Sequence, residues 1–152
     1  NYMAKQELFR IPVLRSVIRY LGAFPVKRGT SDKKSIRFAL ERLSAGEVVL
    51  IFPEGTRSKT GQLGKGFSGS GFLALKVKCT VIPTAIVGRY RLFSKVKIFF
   101  GPPIYLDDLR SEKAGRAEIE QATERIMEGI RKLLVENQSQ NASNGTSLGN
   151  SV

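Results

Sequence analysis

Apolar residues fall at Ile11, Leu14, Val17, Ile18 and Leu21, the three-and-four spacing of one helix face. Pro12 suits the first turn of that helix, and Gly22 stops it. Arg15 and Arg19 lie one turn apart on a different face. Ala23–Val26 predicts a short strand, with Pro25 at its edge or end. A second helix is predicted from a cap at Ser31, with Ile36, Ala39, Leu40 and Leu43 as its buried stripe and Gly46 as its stop. Val48–Phe52 is wholly apolar, which predicts a strand covered on both faces. Residues 53–70 form a long loop rich in Gly, Ser and Lys, and loops of that length are usually functional. A short helix is predicted near Gly71–Lys78, and strands over Val81–Ile86 and Lys95–Phe100. Ser111 offers a cap for the last helix, whose stripe is Ile119, Ala122, Ile126, Ile130 and Leu133.

The order is helix, strand, helix, strand, helix, strand, strand, helix. That alternation predicts an α/β fold with a mixed central sheet flanked by helices. The folded domain is expected over residues 1–135. Residues 136–152 are Asn, Gln, Ser and Gly-rich and predict a disordered tail. In α/β sheets, ligands sit at loops beyond the carboxyl ends of strands. Two loops fit: Lys27-Arg28-Gly29-Thr30 after the first strand, and Pro53–Ser58 after the apolar run.

Composition narrows the chemistry. Among 152 residues there is no histidine and one cysteine. This excludes a Ser-His-Asp or Cys-His enzyme within these residues, any His-ligated or four-cysteine metal site, and an internal disulfide. Cys79 has no histidine to generate a thiolate, so it reads as a packing residue. The net charge is +12. Between Glu54 and Asp107 there is no acid, while Arg57, Lys59, Lys65, Lys76, Lys78, Arg89, Arg91, Lys95 and Lys97 all fall there. Such a stretch suits an anionic partner: nucleic acid, a phosphorylated metabolite or an acidic lipid surface. No apolar run approaches the roughly 18–20 residues needed to span a bilayer.

Gly64–Gly69 spells G-x-G-x-x-G, but a loop precedes it and no acid follows about 20 residues on. The dinucleotide reading therefore fails, and the glycines are expected to keep a loop open and mobile. Phe52-Pro-Glu-Gly-Thr-Arg-Ser58 carries more. Arg57 offers a planar donor fork for phosphate. Gly55 permits close backbone approach, and Thr56 and Ser58 add hydroxyls. Glu54 either holds Arg57 or accepts a substrate hydroxyl. Spacing alone leaves open a simple turn with a surface Glu–Arg pair.

That heptad resembles the third conserved block of the glycerolipid acyltransferases, in particular those of bacterial type that take 1-acyl-glycerol-3-phosphate. Gly22–Arg28 looks like the second block, Val81–Ile86 like the fourth, with its proline at Pro83, and Met3–Leu8 like the stretch after the first. The resemblance covers about residues 3–106. It implies a glycerol-3-phosphate acyltransferase-like fold. It also implies transfer of an acyl group from a coenzyme A or acyl carrier protein thioester to 1-acyl-glycerol-3-phosphate (lysophosphatidic acid), giving phosphatidic acid. Lys27, Arg28, Glu54, Gly55, Thr56 and Arg57 would hold the acceptor, and Pro83 and its strand would support the donor side. No cofactor or metal is implied. The family's H-x-x-x-x-D block, whose histidine acts as general base, is absent from these 152 residues, so no catalytic residue is assigned here. Two positions depart from the family pattern: Phe67-Ser68-Gly69 replaces a frequent Lys-Lys-Gly, and Thr80 a frequent proline. The expected partners are the acyl donor, lysophosphatidic acid and an anionic membrane surface, with the protein on the cytoplasmic face of the cell membrane. Nucleic acid is not expected. The competing readings are a basic nucleic-acid-binding module and a non-catalytic binder of anionic lipid.

Overall fold

The computed structural model describes residues 1–26, 33–55, 62–88, 96–111 and 114–145. Among the described residues four strands, β1 (Tyr2–Lys5), β2 (Ala23–Val26), β3 (Thr84–Gly88) and β4 (Val96–Phe100), combine with four α-helices. These are α1 (Pro12–Tyr20), α2 (Lys33–Ser44), α3 (Gly69–Val77) and α4 (Arg116–Gly145). The architecture is mixed α/β. Among the described residues the strands form two ladders: β1 and β2 run parallel from Tyr2↔Ala23 to Lys5↔Val26, and β3 and β4 run antiparallel from Thr84↔Phe100 to Gly88↔Val96.

The helical periodicities locate α1, α2 and α4. Ile36, Leu40 and Leu43 of α2, with Ala39 fully buried, pack with Phe24, Val49, Ile51, Phe72 and Leu73. A second cluster joins Ala74 and Leu75 of α3 to Ala122 and Ile126 of α4, with Leu106 and Leu109 between. Helix α3 thus feeds both clusters, Leu73 into one and Ala74 and Leu75 into the other, which explains its lack of a polar face. Lys78 closes α3 in the left-handed region at φ 53°. Helix α4 starts at Arg116 rather than near Ser111. There Glu118 reaches back to accept the Gly115 N–H at 2.8 Å, as in a capping box. At its other end α4 continues past Glu136 to Gly145, into the segment whose composition predicts a tail. Arg125 grips Asp108 through two bonds of 2.6 and 2.5 Å, holding that carboxyl below its usual range and fastening the turn before α4.

The apolar run 48–52 departs from expectation. It contributes one parallel bridge, Tyr2↔Leu50, and is not a strand covered on both faces. Val49 and Ile51 pack against the α2 cluster. Val48, Leu50 and Phe52 are 81%, 42% and 52% exposed. Successive side chains of an extended segment point to opposite faces. One set is therefore core and the other stands open among the described residues.

Helices α3 and α4 touch backbone to backbone at Gly71. A methyl there would lie 2.4 Å from the Ile119 carbonyl oxygen and 2.5 Å from Thr123 Oγ1. Thr123 Oγ1 itself donates to that carbonyl at 2.8 Å. Gly71→Ala is therefore expected to cost about 1–3 kcal/mol through overpacking, a fall of roughly 3–12 °C in Tm for a domain of this size. Gly69→Ala is the control, because its methyl would meet only Ile36 Cδ1 at 3.7 Å. Thermal denaturation of the two variants checks this. Equal Tm values would show that the α3–α4 contact tolerates the methyl.

Candidate functional site

The apolar run leads directly into the site. After Phe52 the chain turns through Pro53 and Glu54, closed by a bond from the Gly55 N–H to the Phe52 carbonyl at 3.0 Å. Gly55 sits at φ 62°, a left-handed conformation that favours glycine. A side chain there would also meet Phe67, whose Cδ2 and Cε2 would both lie 3.2 Å from its Cβ.

Residues 64–67 brace this turn from outside. The Gly64 N–H donates to Glu54 Oε2 at 2.6 Å, and the Phe67 N–H donates to the Pro53 carbonyl at 2.9 Å. Gly66 lies against α4, where a methyl would come within 2.7 Å of Met127 Cγ and 3.1 Å of Thr123 Cγ2. The turn is therefore linked through 64–67 to the long helix. Gly64 and Gly66 serve close approach, so residues 64–67 are packed where the expectation was of an open loop.

Of the six acceptor-binding candidates, Glu54 and Gly55 are placed together at this turn. Lys27, Arg28, Thr56 and Arg57 lie outside the described residues, as do the cap expected at Ser31 and the hydroxyl of Ser58. The carboxylate of Glu54 has a partner that spacing did not suggest, the Gly64 amide. Phe67 was met in the sequence only as a departure from a basic pattern. Its ring over Gly55 is a long-range contact with no local signature. Pro83 is buried, and its carbonyl accepts the Gly101 N–H at 2.9 Å. Methyls added at Gly101 and Gly129 would meet it at 3.0 and 3.3 Å, so the proline is wedged against α4. Cys79 is half-buried and its carbonyl accepts from Arg110 at 2.8 Å. Among the described residues no cluster of three or more metal-ligating side chains occurs.

The site is thus a sharp turn with a buttressed carboxylate, placed after an extended apolar segment. The model of the acyltransferase family matches residues 1–87, which includes the whole turn. The chain belongs to the acyltransferase family. It is 34% identical over 141 residues to the 1-acyl-sn-glycerol-3-phosphate acyltransferase of Bacillus subtilis, spanning 88% of this chain and 70% of that one. The enzyme of the same name from Streptococcus pneumoniae is 29% identical, over 87% of this chain and 50% of its own length. Among solved structures, the 1-acyl-sn-glycerophosphate (LPA) acyltransferase PlsC from Thermotoga maritima superimposes with a TM-score of 0.54 at 31% identity. That match covers 86% of this acyltransferase chain and 56% of the other. The chain thus spans between 50% and 70% of the length of these relatives.

Proposed function

We propose that these residues form the acceptor-binding part of a 1-acyl-sn-glycerol-3-phosphate acyltransferase of phospholipid synthesis. The observation that carries the reading is the 34% identity to the Bacillus subtilis enzyme over 141 residues, which runs through the braced Glu54–Gly55 turn. In the proposed reaction the sn-2 hydroxyl oxygen of lysophosphatidic acid attacks the carbonyl carbon of an acyl thioester. The new ester bond forms as the carbon–sulfur bond breaks. The thiol of coenzyme A or acyl carrier protein leaves, and the hydroxyl proton passes to a general base. That base is not among these 152 residues, which contain no histidine. Neither an enzyme nucleophile nor a cofactor is needed for this chemistry.

Lys27, Arg28 and Arg57 supply positive charge for the acceptor phosphate, and Thr56 supplies a hydroxyl. Gly55 lets the backbone come close, while Glu54, tied to Gly64, fixes the start of the loop. The protein works at an anionic membrane surface on the cytoplasmic side. No described helix is long and apolar enough to cross a membrane, so this association is peripheral for the described elements. The net charge of +12 favours acceptor, donor and lipid surface alike.

A binding comparison tests the reading against the nucleic-acid alternative. The chain is expected to bind monomeric lysophosphatidic acid at moderate salt, in competition with glycerol 3-phosphate, and to release duplex DNA under the same conditions. Retention on DNA without binding of the lysolipid would sink it.

A further inference from the structure

Among the described helices α1 is the most sharply two-sided. Leu14 and Ile18 face inward, with Ile18 buried. Val13, Val17 and Tyr20, spaced four and three apart, line one flank of the outward side. Arg15 and Arg19, one turn apart, line the other, with Ser16 between. Among the described residues nothing covers the apolar flank: Val13 is 79% and Tyr20 91% exposed, and Leu21 just beyond is 60% exposed. The charge around it has one sign. Between Glu7 and Asp32 the sequence holds Arg10, Arg15, Arg19, Lys27 and Arg28 and no acid.

We propose that α1 is a membrane-docking helix. It lies in the plane of an anionic lipid surface, with Val13, Val17 and Tyr20 in the boundary between headgroups and acyl chains and Arg15 and Arg19 among the phosphates. This rests on the reading that the protein works at such a surface, and it names the element that touches it. An amphipathic helix with cations on its polar side and aliphatic and aromatic residues on the other is the form that binds interfacially. Tyrosine suits that depth because its ring is apolar and its hydroxyl stays hydrated. A second copy of the chain fits poorly. It would bring like-charged arginine clusters together, and a few side chains fall well short of the about 800 Å² per partner of a stable interface.

The chain has no tryptophan, so Tyr20→Trp installs a single reporter on the stripe and Tyr105→Trp a control elsewhere. Both are mixed with vesicles of phosphatidylglycerol and phosphatidylcholine, and sedimentation reports binding. The expected result is a blue-shifted emission, quenched by brominated acyl chains, for Tyr20→Trp but not for Tyr105→Trp. The double change Val13→Ser with Val17→Ser, checked for folding by circular dichroism, should weaken partitioning about tenfold. Arg15→Gln and Arg19→Gln should each weaken it about fivefold at low salt. A chain that sediments with vesicles while Trp at position 20 stays in water overturns the role of α1 and leaves membrane association standing. Failure to sediment with anionic vesicles at low salt overturns both. A blue shift that follows protein concentration without lipid makes the stripe a contact between copies and ends the proposal.

Discussion

Residues 1–152 on their own are expected to transfer no measurable acyl group from acyl-CoA to 1-acyl-glycerol-3-phosphate. A hydroxyl attacks a thioester efficiently only when its proton is taken up in the transition state. General-base assistance is typically worth about 10²–10⁴-fold. The residue types that do this near neutral pH are led by histidine, and the chain has none. Glu54 does not fill the gap. One of its oxygens already accepts the Gly64 N–H at 2.6 Å, which commits the carboxylate to bracing the turn. The measurement is product formation with radiolabelled donor over hours, beside binding of the acceptor to the same preparation. Binding without turnover is the expected combination. Turnover at rates typical of enzymes, about 1–10³ per second, would mean that a group within these residues is the base, and the family assignment of that role to the histidine of the H-x-x-x-x-D block would fall.

Much of the fold was legible because it is local. The 3.6-residue stripes of α2 and α4 mark their buried faces, and Gly22 and Gly46 mark ends where the backbone takes positive φ, 81° and 77°. What was not legible depends on contacts between distant residues. A continuous apolar run such as 48–52 reads as a strand buried on both sides, yet only Val49 and Ile51 meet the core. Periodicity does not separate the two cases, because every residue of the run is apolar. The glycines of 64–69 have the same difficulty. As letters they suggest freedom, whereas Gly64 and Gly66 permit close approach to Glu54 and Met127, neighbours ten and sixty-one positions away. The end of α4 is a third case. Once a helix is nucleated each further residue adds a hydrogen bond, so α4 carries Gln and Asn to Gly145 beyond its apolar stripe. At the site, spacing identified the turn and its two described members, Glu54 and Gly55. It gave no indication that Gly64 holds Glu54 or that the Phe67 ring lies against Gly55.

Arg57→Ala in the complete enzyme should lower kcat/KM for lysophosphatidic acid by about ten- to hundredfold while leaving the apparent KM for the acyl donor nearly unchanged. A charge-assisted hydrogen bond to a phosphate is worth roughly 1.5–3 kcal/mol, which converts to that range. The guanidinium presents a planar fork that matches phosphate geometry. Arg57→Lys should therefore recover only part of the loss, because the ammonium keeps the charge without the fork. The competing view makes Arg57 a structural partner of Glu54. The turn supplies a way to separate the two, because Glu54 has its own structural bond to the Gly64 N–H. Glu54→Ala removes that brace and is expected to lower Tm. Arg57→Ala, if its work is on the ligand, should leave Tm close to that of the unaltered enzyme. Under the structural view both substitutions lower Tm by similar amounts and neither changes substrate preference. Measuring Tm together with the two apparent KM values decides between them. An Arg57→Ala enzyme that melts early with both KM values unchanged would end the phosphate-binding assignment.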